Sequence, residues 1–438
     1  MLERVALEDR SARDGQGQDG GPGAATGARP RRGQWRDAGE LLVDKRFRRF
    51  FLGYATSLIG SSMAPVAMTF AVLDSGASAT DLGLVFASGV VSTIVFLVAG
   101  GVLADRVPRR AVMVGADLVS ATAQFVFAAL VFTGTAELWS MALLAAVRGG
   151  ASAFYQPALA AMPADLVAGD QLQRANSFLA LAKAVPEVAG PAVAGVLVAV
   201  GGSGVVLVTD GASYLVSAVF LAGVRVPSRT GGARRRLLTD LREGWTEFRS
   251  RRWLWVGVVQ LALWNLVVVA PFLVLGPVIA RSDLGGASAW GAIAAAQGAG
   301  AVLAGVVLLR LHIRRTLLVI AFLQLAWVGV LVLLASRAPL SLIVAAAFAV
   351  GFSTGAFNAL WRTTEQRLVP QAVLSRVSAY ELLGAYALGP VGLALAGPVS
   401  EAVGIATLLL AAAGWQVLSS AAILLLPEVR SIRLERAS

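Results

Sequence analysis

The sequence contains no cysteine, one histidine and two lysines among its 438 residues. The absence of cysteine excludes disulfides, thiolate metal sites and cysteine nucleophiles. The single histidine, His312, lies in a basic stretch, where we expect it to be solvated rather than part of a catalytic triad or a metal site. Neither Lys45 nor Lys183 follows a phosphate-loop pattern, so the chain carries no P-loop ATPase. These absences argue against an enzyme and predict neither a cofactor nor a metal site.

Charge is also scarce. Charged residues make up 14% of the chain, whereas soluble domains contain about 25%. Hydrophobic residues reach 57%, and the mean hydropathy is +0.73. No soluble core could bury this much apolar side chain, so we predict that lipid surrounds most of the chain. The net charge of +11 does not indicate nucleic-acid binding, because the basic residues lie in short stretches between apolar runs.

Apolar runs of about 20 residues, the length that a helix needs to cross a bilayer, begin near Arg46 and alternate with short breaks. They predict an all-α membrane protein. Residues 1–44, which precede them, are poor in apolar residues and are expected to form a disordered cytoplasmic tail. The runs give twelve predicted helices, at about 49–73, 82–104, 111–133, 138–162, 176–200, 204–226, 253–280, 288–309, 315–335, 339–361, 377–399 and 402–426.

The arginines predict the orientation in the membrane. They crowd the loops between predicted helices 2 and 3, 6 and 7, 8 and 9, and 10 and 11, and the C-terminal tail, whereas the opposite loops contain only Arg281 and Arg337. The positive-inside rule then places both termini in the cytoplasm of a multi-pass protein of the cell membrane. A basic cytoplasmic linker at 227–252 separates two six-helix halves, 45–226 and 253–427, and a tail follows at 428–438.

The two halves share residues at constant offsets. Gly305, Arg310 and Arg314 follow Gly101, Arg106 and Arg110 by 204 residues (305 − 101, 310 − 106 and 314 − 110), although Leu309 replaces the acid. Many secondary transporters are built from two such halves and bind substrate between them, near the midplane. Pairs at an offset of 202 include Gly149 and Gly351, Leu166 and Leu368, Leu172 and Leu374, Arg174 and Arg376, Gly190 and Gly392, Gly195 and Gly397, and Gln156 and Asn358.

Four stretches are similar to motifs of one transporter family: the loop from Gly101 through Asp105 to Arg110, residues 155–158 with 174–177, Gly190-Pro191 with Ala194-Gly195, and residues 210–218. Over roughly residues 42–427 the chain resembles the major facilitator superfamily, in its branch of proton-coupled exporters that includes the enterobactin exporter and macrolide efflux proteins. The resemblance implies twelve transmembrane helices in two pseudo-symmetric halves, and a monomer that works by alternating access. Members of this branch often carry an acid after the glycine of helix 1, where this chain has Ser61.

The resemblance assigns a gating role to the loop that contains Gly101, Asp105, Arg106, Arg109 and Arg110. Asp105 would act as a latch against the N-terminal end of predicted helix 11, where the helix dipole favours an anion. We expect this contact near Arg376 and Ser378. The alternative is a topogenic loop whose arginines only fix the orientation.

The antiporter-like motif of predicted helix 5 comprises Gly190, Pro191 and Gly195. Small residues let helices approach closely, and proline removes one backbone hydrogen bond and permits a bend. The family reading is a kinked, tightly packed seam that favours export. The alternative is ordinary small-residue packing.

Charged residues at mid-membrane are candidates for proton coupling, since each costs roughly 2.5–3.5 kcal/mol at a helix centre. Arg148 falls in predicted helix 4, and Lys183 and Glu187 lie four residues apart on one face of helix 5. We expect Glu187 to pair with Lys183 or to reach Arg148, either as a coupling unit or as a structural ion pair. Three further acids are predicted nearer helix ends, where structural hydrogen bonding is favoured over coupling: Asp117, Asp210 and Glu381. Of these, Asp210 is kept as the fourth coupling candidate beside Glu187, Arg148 and Lys183.

By family analogy, helices 1, 4, 7 and 10 line the substrate cavity. Aromatic and methionine side chains suit a bulky, partly apolar ligand. Most of these side chains could instead face lipid or pack between helices, and Trp253 and Trp255 are expected to anchor at the interface. The candidates are Met63, Met68, Phe154, Tyr155, Gln156, Trp264, Asn265, Phe357, Asn358 and Trp361.

The leading hypothesis is a secondary active transporter that exports a small, partly apolar molecule, such as a drug, antibiotic or siderophore, in exchange for protons. Its partners would then be the substrate, protons and the lipid bilayer, without nucleic acid. An importer of the same fold and a non-transporting membrane receptor or partner subunit remain as alternatives. The sequence does not identify the substrate.

Overall fold

The computed structural model describes residues 41–225, 245–311, 313–370 and 386–432, with 373, 377, 378, 380, 381 and 384. Residues 1–40 of the predicted tail, residues 227–244 of the linker, His312 and residues 433–438 lie outside the described residues. So do five side chains, those of Val98, Val102, Ala104, Asp105 and Ser431.

The described chain is helical, and its main helices follow the predicted spans closely. Ten of them are long and apolar enough to cross a membrane. The other two, α4 and α11, lie at predicted positions without meeting both conditions, so their crossing stays a prediction. The helices are α1 Lys45–Asp74, α2 Ala79–Arg106, α3 Arg109–Thr133, α4 Leu138–Leu166, α5 Leu172–Gly201, α6 Ser203–Ala222, α7 Arg252–Leu284, α8 Ala287–Leu308, α9 Thr316–Ala335, α10 Leu340–Leu368, α11 Gly389–Val403 and α12 Ile405–Leu424.

Local sequence signals explain where several helices begin and end. Ser78 and Asp81 form a capping box at the start of α2, and Pro108 immediately precedes α3. Gly134 ends α3 with φ 68°, a left-handed conformation that glycine adopts without strain. α7 contains two π-helical segments, Asn265–Val269 and Ala280–Leu284, which hydropathy does not predict.

The two six-helix halves meet along two helix pairs. In the first half α2 packs on α4, and both α1 and α3 pack on α6. In the second half α8 packs on α10, and α9 packs on α12. α5 packs against α8, and α2 packs against α11, across the boundary between the halves. In the internal repeat α2 corresponds to α8 and α5 corresponds to α11. The α5–α8 pair and the α2–α11 pair are therefore equivalent. The connection between α1 and α2 defines one end of the bundle, the α1–α2 end, and the opposite end carries the α2–α3 connection.

Candidate functional site

Two buried polar contacts join α3 to α6 in a single antiparallel register. Gln124 Nε2 donates to Asp210 Oδ2, and Ser217 Oγ donates to Asp117 Oδ2 at 2.7 Å. The paired residue numbers give the same sum (124 + 210 and 117 + 217), as one antiparallel register requires. Asp117 is 1% exposed and Asp210 is 0% exposed. Two of the three acids predicted nearer helix ends are therefore deeply buried, and each has a neutral hydrogen-bonding partner on the opposite helix.

Asp210 lies beside Arg148 of α4. The strongest electrostatic interactions of the Arg148 guanidinium group are with Tyr214 and Asp210. Its Nη1 also lies 3.9 Å from Met68 Sδ. Asp210 Oδ1 and Arg148 Nε are buried and have no hydrogen-bond partner among the described residues. The structure thus unites two of the four predicted coupling residues in one water-poor pocket.

This pocket reaches α1 at Gly60 and Ser61. A Cβ at Gly60 would lie 2.8 Å from Asp210 Oδ1 and 2.1 Å from Ser213 Oγ. Ser61 Oγ donates to the Tyr214 hydroxyl at 3.0 Å. Although α1 lacks the acid common in the branch, α6 places a carboxyl group against the same stretch of α1. Sequence reasoning gave no role to Gln124, whose only signal was its polarity within an apolar helix, whereas Tyr214 lies in the motif-like stretch 210–218 but received no role of its own.

Lys183 and Glu187 form the expected ion pair on α5, with 3.2 Å between Nζ and Oε1. Their side chains are 57% and 51% exposed, so the pair contributes at most about 1 kcal/mol to stability. The structure does not bring Glu187 to Arg148. The reason is that α5 packs on α1 and α8, whereas α4 packs on α2 and α3. A coupling role for Lys183 and Glu187 remains a prediction.

The antiporter-like motif lies where α5 meets α1 and α8. A Cβ at Gly190 would lie 2.0 Å from Ser62 Oγ of α1. A Cβ at Gly195 would lie 2.6 Å from the Ala287 carbonyl oxygen of α8, and one at Gly291 would lie 2.5 Å from the Pro191 carbonyl oxygen. Backbone therefore meets backbone between the halves, and larger residues have no room. We call this contact between α5 and α8 the glycine seam.

The halves are also joined at the α1–α2 end of the bundle. Thr80 Oγ1 of α2 donates to Glu401 Oε1 of α11 at 2.9 Å. Arg281, in the last turn of α7, donates to the Leu73 carbonyl oxygen of α1, and its Nε lies 3.5 Å from Asp74 Oδ1. We call these polar contacts the rim clasp. They hold this end of the bundle closed.

The gating loop at the α2–α3 end binds the first half to itself. Arg109 Nη1 lies 2.6 Å from Asp165 Oδ2 of α4, and Arg110 Nη1 donates to the Val224 carbonyl oxygen at 3.0 Å, while Arg106 is exposed. The close approach to α4 occurs at Gly100, where an added Cβ would lie 2.2 Å from the Ala153 carbonyl oxygen. At the motif residue Gly101, an added Cβ would meet open space. The Asp105 side chain and Arg376 lie outside the described residues, and Ser378 donates to Glu365. The latch stays a prediction.

Three of the five predicted substrate residues of the second half line one cavity between α7, α9, α10 and α12, which lies within that half and not between the halves. Trp264, Phe357 and Trp361 line it, together with Gln260, Gln324 and Gln416. Phe357 stacks on Trp361 with 5.8 Å between ring centroids, and Trp361 Nε1 donates to Glu381 Oε1 at 2.5 Å. Asn265 donates to the Leu261 carbonyl oxygen at 3.0 Å and begins a π-helical segment. Aromatic faces and amides make this cavity apolar but able to donate and accept hydrogen bonds.

The predicted substrate residues of the first half lie in different places. Phe154 contacts Phe96 and lines a groove of about 440 Å³ between α2, α3 and α4. The Tyr155 hydroxyl is buried near Ser57, and Met63 and Met68 belong to the buried core. Gln156 and its repeat counterpart Asn358 are both exposed on their helices. Neither amide lines a described cavity, so their role in substrate binding stays a prediction.

Comparison with known proteins agrees with this architecture. The chain is 25% identical over 371 residues to macrolide efflux protein A of Streptococcus pyogenes, covering 82% of this chain and 90% of the relative. It is 28% identical over 399 residues to the multidrug efflux pump Tap of Mycolicibacterium fortuitum, covering 86% and 95%. Its fold is similar to that of the nucleoside transporter NupG, with a TM-score of 0.68 at 15% identity, covering 87% of this chain and 98% of NupG.

A second solved structure with this fold is a bacterial homologue of the iron transporter ferroportin, described as inward-facing. The TM-score is 0.68 at 15% identity, and the alignment covers 86% of this chain and 98% of the ferroportin homologue. The sequence model of the Major Facilitator Superfamily matches residues 50–392, most of the chain. Together with the helices long and apolar enough to span a bilayer, this match identifies a multi-pass membrane transporter rather than an enzyme, and the chain belongs to the Major Facilitator Superfamily.

Proposed function

We propose that this protein exports a small, partly apolar molecule across the cell membrane in exchange for protons. The observation that carries the proposal is the burial of the Asp210 carboxyl group between α3 and α6, where its Oδ2 accepts from Gln124 and where it lies in the electrostatic field of Arg148. A carboxyl group held out of water beside a fixed cation has two states of similar free energy, because burial favours the protonated acid and the cation favours the anion. Such a group binds and releases a proton when its surroundings change slightly.

The state of the bundle fits one stage of an alternating-access cycle. With both termini in the cytoplasm, the rim clasp lies on the outer side and keeps that side closed, so that substrate enters from the cytoplasm. Opening outward requires the rim clasp to break and the glycine seam to pivot. The similarity to proteins named macrolide and multidrug efflux pumps supports the outward direction.

The proton gradient is sufficient to drive this export. A charge crossing 100 mV releases about 2.3 kcal/mol, so a potential of roughly 200 mV supplies about 4.6 kcal/mol per proton. Since 1.4 kcal/mol corresponds to a tenfold ratio, one proton supports accumulation of over about a thousandfold. Export by this route needs no ATP site.

The second-half cavity supports the proposed substrate class. Its tryptophan and phenylalanine rings offer flat apolar surfaces, and its glutamines add hydrogen-bonding groups without net charge. The exposed amides of Gln156 and Asn358 would add polar contacts from both halves. The lining chemistry favours a partly apolar molecule over a strongly charged one, but the cavity of about 50 Å³ must widen before it can admit a drug-sized molecule.

Everted membrane vesicles from cells that express the protein test direction and coupling. Erythromycin and ethidium are used as probes, after a susceptibility panel has shown which compounds the protein protects against. We expect inward accumulation in everted vesicles, abolished when the pH gradient and the membrane potential are both collapsed. Asp210→Asn should lose gradient-driven accumulation, whereas Asp170→Asn, at an exposed acid, should retain it.

Three outcomes would contradict the proposal. Accumulation that survives collapse of both gradients would rule out proton coupling. Uptake into right-side-out vesicles would instead support an importer. A protein that moves none of the panel compounds, yet still signals or binds a partner, would support the receptor alternative.

A further inference from the structure

We propose that Asp117 is a second proton-carrying acid, and that the buried face between α3 and α6 is the route by which Asp210 exchanges its proton with the cytoplasm. This inference rests on the proposed function, because it extends the coupling site from one acid to two. It also departs from the role that the sequence alone favours for Asp117, which is structural hydrogen bonding.

Within the part of the chain that the structure describes, Asp117 is buried without a neighbouring cation, which favours its protonated form. Its carboxyl group is 1% exposed, and the Ser217 hydroxyl donates to it at 2.7 Å. Among the described residues, no lysine or arginine forms an ion pair with it. Arg109 and Arg110, which begin the same helix, contact Asp165 and the Val224 carbonyl oxygen instead. A buried carboxylate without a cation is unfavourable, and a bound proton removes that cost.

The groups that face Asp117 from neighbouring helices are hydroxyls. α6 contributes Ser217, and α4 contributes Tyr155, which lies close enough to interact electrostatically with Asp117. Tyr54 and Ser57 of α1 lie on the other side of Tyr155. Hydroxyl groups both donate and accept protons, so this environment suits proton passage better than a fixed ion pair does.

The register of α3 and α6 connects the two acids. Asp117 and Gln124 are seven residues apart on α3, and Ser217 and Asp210 are seven apart on α6, so the two contacts lie about 10 Å apart along the helices. Buried Ser120 and Ser213 stand between them, one on each helix. Tyr214 and Tyr155 flank the same interval and interact electrostatically with each other. Serine and tyrosine hydroxyl groups therefore occupy the interval between the two carboxyl groups.

The proposed transfer conserves both protons and charge. Asp210 gives up its proton, each hydroxyl in turn accepts one proton and donates one, and the Asp117 carboxylate receives one. Asp210 becomes an anion next to Arg148 as Asp117 becomes neutral. Asp117 lies eight residues from the start of α3 (117 − 109), about 12 Å from the α2–α3 end, from which it releases the proton to the cytoplasm.

Proteoliposomes with a trapped pH-sensitive dye and labelled erythromycin test the route. Asp117→Asn should slow gradient-driven erythromycin transport by at least about tenfold, because proton transfer by a positioned acid is worth that much or more. Erythromycin exchange, which needs no net proton movement, should continue at the wild-type rate. Asp117→Glu should restore driven transport with a shifted pH profile, and Asp170→Asn serves as the matched control.

The outcomes separate the two proposals. If the gradient does not drive wild-type transport, the proposed function fails. If Asp210→Asn abolishes driven transport and Asp117→Asn does not, only the two-acid route fails. Loss of both driven transport and exchange in a folded Asp117→Asn protein would indicate a structural role and overturn the inference.

Ser217→Ala keeps the test open if Asp117→Asn does not fold. This change removes the donor to the Asp117 carboxylate and so disfavours the anion. The pH midpoint of driven transport should therefore move to higher pH. An unchanged midpoint would overturn the route through Asp117.

Discussion

Gly60 is the residue at which α1 comes closest to the coupling acid. A Cβ there would lie 2.1 Å from Ser213 Oγ, 2.8 Å from Ser213 Cβ and 2.8 Å from Asp210 Oδ1. One of the two helices must move to accept even a methyl group, because the Ser213 Cβ is fixed to its backbone. The glycine thus sets the separation of α1 and α6 at the site where Asp210 holds its proton.

Gly60→Ala should therefore disturb coupling as well as stability. Overpacking of this kind costs about 1–3 kcal/mol, which predicts a lower thermal unfolding temperature in detergent. Gradient-driven transport should fall more than exchange, because Asp210 is displaced from Arg148. Gly115→Ala, on α3 where an added Cβ meets open space, is the control and should change neither quantity. Wild-type coupling in Gly60→Ala would show that the separation of α1 and α6 is not critical.

Residue spacing predicts contacts within a helix better than contacts between helices. The Lys183–Glu187 pair follows from the four-residue spacing alone. The burial of Asp210 depends on the register of α3 against α6, which hydropathy does not contain, and its partner Gln124 carried no signal beyond its polarity. The expected approach of Glu187 to Arg148 fails for the same reason, because it requires knowing which helices are neighbours.

At the scale of helices, Arg281 of α7 provides the rim clasp with its contacts to α1. Its guanidinium group reaches both the Leu73 carbonyl oxygen and the Asp74 carboxylate across the boundary of the halves. Both side chains are partly exposed, so the ion pair alone contributes at most about 1 kcal/mol. The hydrogen bond from a charged donor to the end of α1 adds about 1.5–3 kcal/mol.

Arg281→Ala should weaken closure of the outer side. A cysteine introduced at Ala194, which is fully buried in this state, should then react several-fold to about tenfold faster with a membrane-impermeant thiol reagent added outside. Arg337→Ala is the matched control, since it breaks an ion pair with Asp283 inside the second half. Equal reactivity in Arg281→Ala and Arg337→Ala proteins would contradict a role for Arg281 in closure.

Helix positions were predictable because they depend on local composition. Apolar runs located the helices within about five residues, apart from the end of α10 at Leu368, seven residues beyond the predicted 361, and the described start of α11 at Gly389. The π-helical segments of α7 were not predictable, since they depend on how a helix backbone settles against its neighbours.

For the whole molecule, alternating access requires the contact between α2 and α11 to separate. Thr80 and Glu401 meet there at 2.9 Å, on opposite halves. Cysteines at both positions, joined by a short bifunctional thiol reagent, should stop transport until a reductant releases them. The natural chain has no cysteine, so no other site reacts. The same treatment of Asp283→Cys with Arg337→Cys, which joins two sites within one half, should leave transport intact. Undiminished transport by the cross-linked Thr80–Glu401 pair would rule out separation at this contact.

The division into two halves was readable from the internal repeat, but the closed end was not. Closure at the α1–α2 end depends on pairs such as Arg281 with Asp74, which are far apart in sequence and carry no repeat signal. The same chain in its opposite state would have the same hydropathy and the same repeat.

The glycine seam has a consequence for the speed of the cycle. Where Gly195 meets Gly291, the contact is between backbones and not between interlocking side chains, so α5 can rock on α8 there without a rotamer change at these two positions. A backbone contact of this kind keeps the halves in register and offers little resistance to their relative rotation. The energy barrier to each turnover then falls mainly on the few polar contacts at the rim, and a change of about 1.4 kcal/mol there alters the rate about tenfold. Evolution could thus adjust turnover against leakage by changing one or two rim residues, without touching the seam or the substrate cavity.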